Sequence, residues 1–103
     1  MTIADRLNDK TLFQTQSFIN GAWVKGEGAV AVTNPSNDEV IAEIGDVGAA
    51  GARAAVDAAA AAFDTWKKVS PFERAKLLMK WHALILENAD DLGQLITLEM
   101  GKV

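Results

Sequence analysis

The chain has 103 residues, half of them apolar, with 14 acidic against 10 basic side chains and a net charge of −4, which places it among globular chains of about one small domain. The acidic balance, with no Lys/Arg cluster to offset it locally, opposes the phosphate attraction behind most nucleic-acid affinity. Cysteine is absent, which excludes disulfides, thiolate nucleophiles and thiolate metal sites from this stretch and fits a reducing compartment.

Residues 1–17 read as an N-terminal arm. Asp5 and Asp9 stand ahead of any apolar run, which argues against a signal or transit peptide and leads us to expect a cytoplasmic protein. Residues 18–45 follow a β pattern. Phe18-Ile19 and Ala22-Trp23-Val24 flank Asn20-Gly21, the pair suited to the positive φ angles of a type I′ turn, so a first hairpin is expected there. After a Gly26-Glu27-Gly28 turn, strands over 29–33 and 40–44 are joined by the reversal Asn34-Pro35-Ser36-Asn37-Asp38.

Residues 50–101 change to helical periodicity. Ala52, Val56, Ala59, Phe63 and Trp66 recur in steps of four and three, one stripe down a first helix whose alanines allow a close neighbour. The most apolar stretch, 54–63, is interrupted by Asp57 and falls short of the roughly 20 residues needed to cross a bilayer. Ser70-Pro71-Phe72-Glu73 predicts a capping box at the start of a second helix. Its apolar face is Leu77, Leu78, Trp81, Leu84 and Ile85, with Arg74, Lys76 and Lys80 on the wet side. Asn88 is expected to stop that helix and to cap a third. In the third, Asp90 and Asp91 suit the helix start as solvated acids, Leu92, Leu95 and Ile96 form the buried face, and Gly101 closes the helix.

Few residues suggest chemistry. The run from Gly45 through Gly48 to Gly51 lies between a strand and a helix, but its G-x-x-G-x-x-G spacing departs from the dinucleotide-binding fingerprint, and a flexible connection is expected. His82 has no carboxylate at helical ligand spacing, Glu87 being five residues on, and is read as structural. Ser17, Ser36 and Ser70 have no identifiable base. Glu99 stands near a helix end where its charge opposes the dipole, so either Lys102 or a bound cation compensates it or it is simply exposed.

The order of features resembles the N-terminal region of the NAD(P)-dependent aldehyde dehydrogenases. Phe18-Ile19-Asn20-Gly21-Ala22-Trp23 is similar to the family's entry hairpin, and Thr33-Asn34-Pro35-Ser36-Asn37-Asp38-Glu39-Val40-Ile41 to its asparagine-proline turn and following strand. Ala54-Ala55-Val56-Asp57-Ala58-Ala59 with Phe63 and Trp66, then Glu73-Arg74-Ala75 and Leu77, resemble its first two helices. Thr97-Leu98-Glu99-Met100-Gly101-Lys102 resembles its helix-end signature. Within the family, the opening segment with Asp90-Asp91-Leu92 is most similar to bacterial succinate-semialdehyde dehydrogenases. Val103 departs from the family's usual proline, and Ala50-Gly51 from its polar cap and acid.

The resemblance implies an α/β fold, in which β-hairpins and three helices would pack on a Rossmann-like cofactor domain. It also implies a complete enzyme that oxidises succinate semialdehyde or a related semialdehyde with NAD or NADP and assembles as a homodimer or homotetramer. The family's nucleophilic cysteine, general-base glutamate and cofactor-binding residues fall later in its members, so no catalytic or cofactor-binding residue is assigned here, and the segment alone is expected to be inactive. One feature maps: the carbonyls of Val32 and Thr33 with the acid of Glu99, a structural cation site. The competing reading is a self-contained, non-enzymatic binding or scaffold module. The two differ over Phe63, Trp66, Leu78, Trp81 and Ile96, which an autonomous module must bury and a segment would expose. A chain ending at Gly101-Lys102-Val103 with no returning strand favours the segment.

Overall fold

The structure is a computed structural model and describes residues 3–102; the expectation attached to Val103 lies outside them. The arm begins with two short 3-10 turns, Ala4–Arg6 and Lys10–Leu12. The first hairpin pairs β1 (Ser17–Ile19) with β2 (Ala22–Val24) across a two-residue loop in which Asn20 has φ 52° and Gly21 φ 76°. Both positive angles are those of a type I′ turn, whose twist matches that of the strands. Phe18 opposes Trp23, and their rings meet edge to face with centroids 5.0 Å apart.

The second hairpin pairs β3 (Gly28–Thr33) with β4 (Val40–Asp46). Its turn closes on Asn34: the side-chain oxygen accepts the Ser36 N–H at 2.9 Å, and the main-chain carbonyl accepts the Asp38 N–H at 2.7 Å. The register passes from Val32↔Ala42 to Thr33↔Val40, so Ile41 is the extra residue of a bulge that interrupts the ladder. Gly45 is where the arm and both hairpins meet. Its N–H donates to the Thr15 carbonyl at 2.8 Å, and a Cβ there would lie 2.2 Å from the Lys25 carbonyl oxygen.

Three helices follow: α1 (Gly48–Trp66), α2 (Pro71–Glu87) and α3 (Ala89–Met100). α1 begins two residues earlier than expected, and Asp46, just ahead of it, accepts the Gly48 N–H on Oδ1 at 2.9 Å. The N-cap residue itself is Val47, and no side chain caps the helix from that position. The start of α2 follows half the predicted box: Ser70 Oγ accepts the Glu73 N–H at 3.2 Å, while the Glu73 carboxylate turns to Lys76 Nζ at 3.5 Å. Asn88 stops α2 but does not cap α3 with its side chain; its Nδ2 donates back to the Leu84 carbonyl at 2.9 Å, beside the Asn88 main-chain N–H that the same oxygen accepts at 3.0 Å. Gly101 ends α3 with φ 75° and donates its N–H to the Thr97 carbonyl.

Packing is sparse. Among the described residues the buried apolar side chains are Ile3, Leu7 and Leu98, where the arm crosses α3. Neither α1 nor α2 buries any residue. The face expected on α3 is displaced, since Ile96 is exposed and Leu98 is buried instead. α1 turns Ala55, Ala58, Ala59 and Ala62 toward the tip of the first hairpin, leaving Val56, Phe63 and Trp66 open. α2 is apolar on two opposite sides, because Phe72, Met79 and Leu86 form a second exposed stripe facing away from Leu78, Trp81 and Ile85. The Cα radius of gyration is 16.5 Å, against about 13 Å for a compact domain of this length. No helix of the described residues is long and apolar enough to cross a membrane.

Candidate functional site

Three places gather polar or glycine residues that could hold a ligand, while Ser17 lies in β1, Ser70 caps α2 and His82 lies within α2. The β4–α1 junction carries the glycine run, in which Gly45 and Gly51 serve close packing and Gly48 a positive φ of 63°. Gly45 lies inside β4 at the crossing described above, and a Cβ on Gly51 would lie 2.2 Å from Val47 Cβ. The Asp46 carboxylate already occupies the N–H of Gly48. A negative group at a helix start repels the anion that such a junction would otherwise attract. The junction therefore does not fit a dinucleotide pyrophosphate.

The second place is the asparagine-proline turn with the end of α3. The register of the second hairpin shifts between Val32 and Thr33, where the bulge lies. α3 ends against this turn, since a Cβ on Gly101 would lie 3.1 Å from Pro35 Cγ. Glu99, on the last turn of the helix, is exposed. The donor types are main-chain carbonyls and one carboxylate, the oxygen ligands that hard cations prefer. No group of three or more His, Cys, Asp or Glu side chains suited to a metal occurs among the described residues. His82 is exposed on α2.

The third place was not anticipated. Asp90 is a solvated first-turn acid, as expected, but Asp91 is only 5% exposed. Its Oδ1 accepts the Asn8 N–H and its Oδ2 the Asp9 N–H, both at 2.8 Å. A buried carboxylate is costly unless hydrogen bonds replace its water, and these two charge-assisted bonds do so. The signal was present in the sequence. Asp91 precedes Leu95 and Leu98 by four and seven residues, so it lies on the helix face that turns inward, whereas Asp90 lies about 100° away. On the arm, Asp9 Oδ1 accepts the N–H and the hydroxyl of Thr11. The Thr11 hydroxyl, then the Thr11 N–H, hold the Asp9 carboxyl below its ordinary value.

Comparison with known proteins matches this architecture. The family model described as the aldehyde dehydrogenase family matches residues 23–103. The chain is 47% identical, over 93% of its length, to a 3-sulfolactaldehyde dehydrogenase of Pseudomonas putida. It is 44% identical, over 94% of its length, to the NADP(+) succinate-semialdehyde dehydrogenase GabD of Escherichia coli. Each match takes in 20% of the relative's length. Among solved structures, an NADP dependent enzyme of E. coli superposes with a TM-score of 0.90 at 43% identity, covering 93% of this chain and 20% of that one. A succinate-semialdehyde dehydrogenase from Burkholderia pseudomallei superposes with a TM-score of 0.85 at 31% identity, covering 89% and 20%. The chain spans about a fifth of the length of the relatives it matches, and over that span its hairpins and three helices are theirs: it belongs to the aldehyde dehydrogenase family.

Proposed function

We propose that this chain is the N-terminal part of the cofactor-binding domain of an NAD(P)-dependent dehydrogenase, and that its role is to cover and brace a site built by other residues. The observation that carries this reading is the exposure of Phe63, Trp66, Leu78, Trp81 and Ile96, each at least 42% open. A self-contained module would bury these side chains, each worth about 1.5–3 kcal/mol when removed from water. The substrate is a small aldehyde bearing an acid group at its far end, succinate semialdehyde first. The names of the relatives support this, since succinate and glutarate semialdehydes carry a carboxylate and sulfolactaldehyde a sulfonate. The complete enzyme is cytoplasmic and homo-oligomeric, and the 103-residue segment has no dehydrogenase activity of its own.

In the same reading, the carbonyls of Val32 and Thr33 and the carboxylate of Glu99 hold a structural cation that ties the end of α3 to the asparagine-proline turn. The register shift between Val32 and Thr33 and the close approach of Gly101, at the end of α3, to Pro35 support this reading. The test of function follows NAD(P)H absorbance with succinate semialdehyde, glutarate semialdehyde and 3-sulfolactaldehyde, for the segment and for the complete polypeptide. Activity confined to the complete polypeptide supports the reading. Cofactor reduction by the segment alone refutes it, and inactivity of both toward every acid-bearing aldehyde removes the substrate assignment.

A further inference from the structure

The arm does more than precede the first strand. It supplies Ile3, Arg6, Phe13 and Thr15 to one wall of a cavity of about 500 Å³, whose other walls are β4 with its turn and Leu98 of α3. At its far end Thr15 is tied to β4 through the Gly45 N–H. At its near end Ile3 and Leu7 are buried where Leu98 is buried. Between these, Asp91 receives two consecutive main-chain N–H groups of the arm, one on each carboxylate oxygen. Those two bonds span 83 and 82 residues of sequence, so they form only when the arm is laid across the helix.

We propose that residues 3–13 form a strap that closes this cavity and is latched by the Asp91 carboxylate, so that Asp91 sets whether the cavity wall is in place. A carboxylate suits the task because both of its oxygens accept and neither donates. An amide of the same shape keeps one acceptor and turns an N–H2 group toward a backbone N–H, so D91N opens the latch without removing volume. Arg6 and Lys10 stand exposed on the strap, which makes its release readable by trypsin as well as by exchange.

The experiment is hydrogen exchange on the complete polypeptide, with and without D91N. Release predicts that the Asn8 and Asp9 amides exchange roughly tenfold or more faster, the factor expected when charge-assisted hydrogen bonds are lost. Cleavage after Arg6 and Lys10 should accelerate in step, while amides of α1 keep their protection. Unchanged exchange at Asn8 and Asp9, or an equal rise throughout α1, overturns the proposal. A second set of variants guards against a fold-wide defect. With residues 1–10 deleted, Asp91 has nothing to latch, so D91N should then leave the unfolding midpoint where the deletion puts it. If D91N lowers the midpoint equally with and without residues 1–10, the carboxylate serves α3 alone and the strap reading fails.

Discussion

Replacing Gly45 by alanine tests how tightly the arm and both hairpins are drawn together. A methyl group at this position would lie 2.2 Å from the Lys25 carbonyl oxygen and 3.7 Å from that of Thr15, and both are backbone atoms that cannot rotate aside. One strand must therefore move, which in a packed setting costs about 1–3 kcal/mol. The movement also strains the 2.8 Å bond from the Gly45 N–H to Thr15, a further loss of about 1 kcal/mol. Together G45A should cost roughly 2–4 kcal/mol. Gly93 supplies the control. It lies within α3, where an added Cβ meets nothing within 4 Å among the described residues. There G93A should stabilise by up to about 1 kcal/mol through helix propensity alone. Urea unfolding followed by tryptophan fluorescence gives both differences. Equal midpoints for G45A and the parent would refute the crossing geometry, and a large loss from G93A would refute the open setting assigned to α3.

Three further outcomes follow from particular contacts. S70A should cost about 1 kcal/mol by removing the acceptor of the Glu73 N–H, and S70D should restore most of it; circular dichroism during denaturation measures both. L98A should cost about 2–5 kcal/mol, because Leu98 is 6% exposed at the meeting of arm and helix, whereas L78A, on an open face of this chain, should cost the isolated segment little. Such a pair separates buried from waiting apolar surface, and a large loss from L78A in the segment would contradict the exposed face. The Asp9 carboxyl is held below its ordinary value of 3.8 by Thr11. A lowered folded-state value means that its contribution is present above that ordinary value and is lost as pH falls through the folded one. Carboxyl NMR titration of T11V should show Asp9 returning upward, and no movement would remove Thr11 as the cause.

Much of the chain was legible locally. Asn20-Gly21 specifies its turn because two successive positive φ angles leave few residue choices. Ser70 and Gly101 mark helix ends because orphan N–H and C=O groups are satisfied within a few residues. These decisions involve neighbours in sequence, so sequence alone determines them. The same holds for the family, whose hairpin, turn and helix-end residues occur in an order that few other chains would share.

What the local reading could not supply is partnership across long separations. The Asp91 carboxylate reads as a helix-start acid until residues 8 and 9 are laid over it, since only then is its water replaced by two N–H groups. Gly45 reads as part of a flexible connection until the Lys25 and Thr15 carbonyls converge on it. Leu98 rather than Ile96 is buried because the arm crosses one side of α3 and not the other. Periodicity identifies the apolar residues of a helix; which of them leaves water is decided by the surface that arrives against it. For the Val56, Phe63 and Trp66 stripe of α1 and both sides of α2 no such surface lies among the described residues, and the exposed Phe63, Trp81 and Met79 mark where the tertiary structure of this segment asks for more chain.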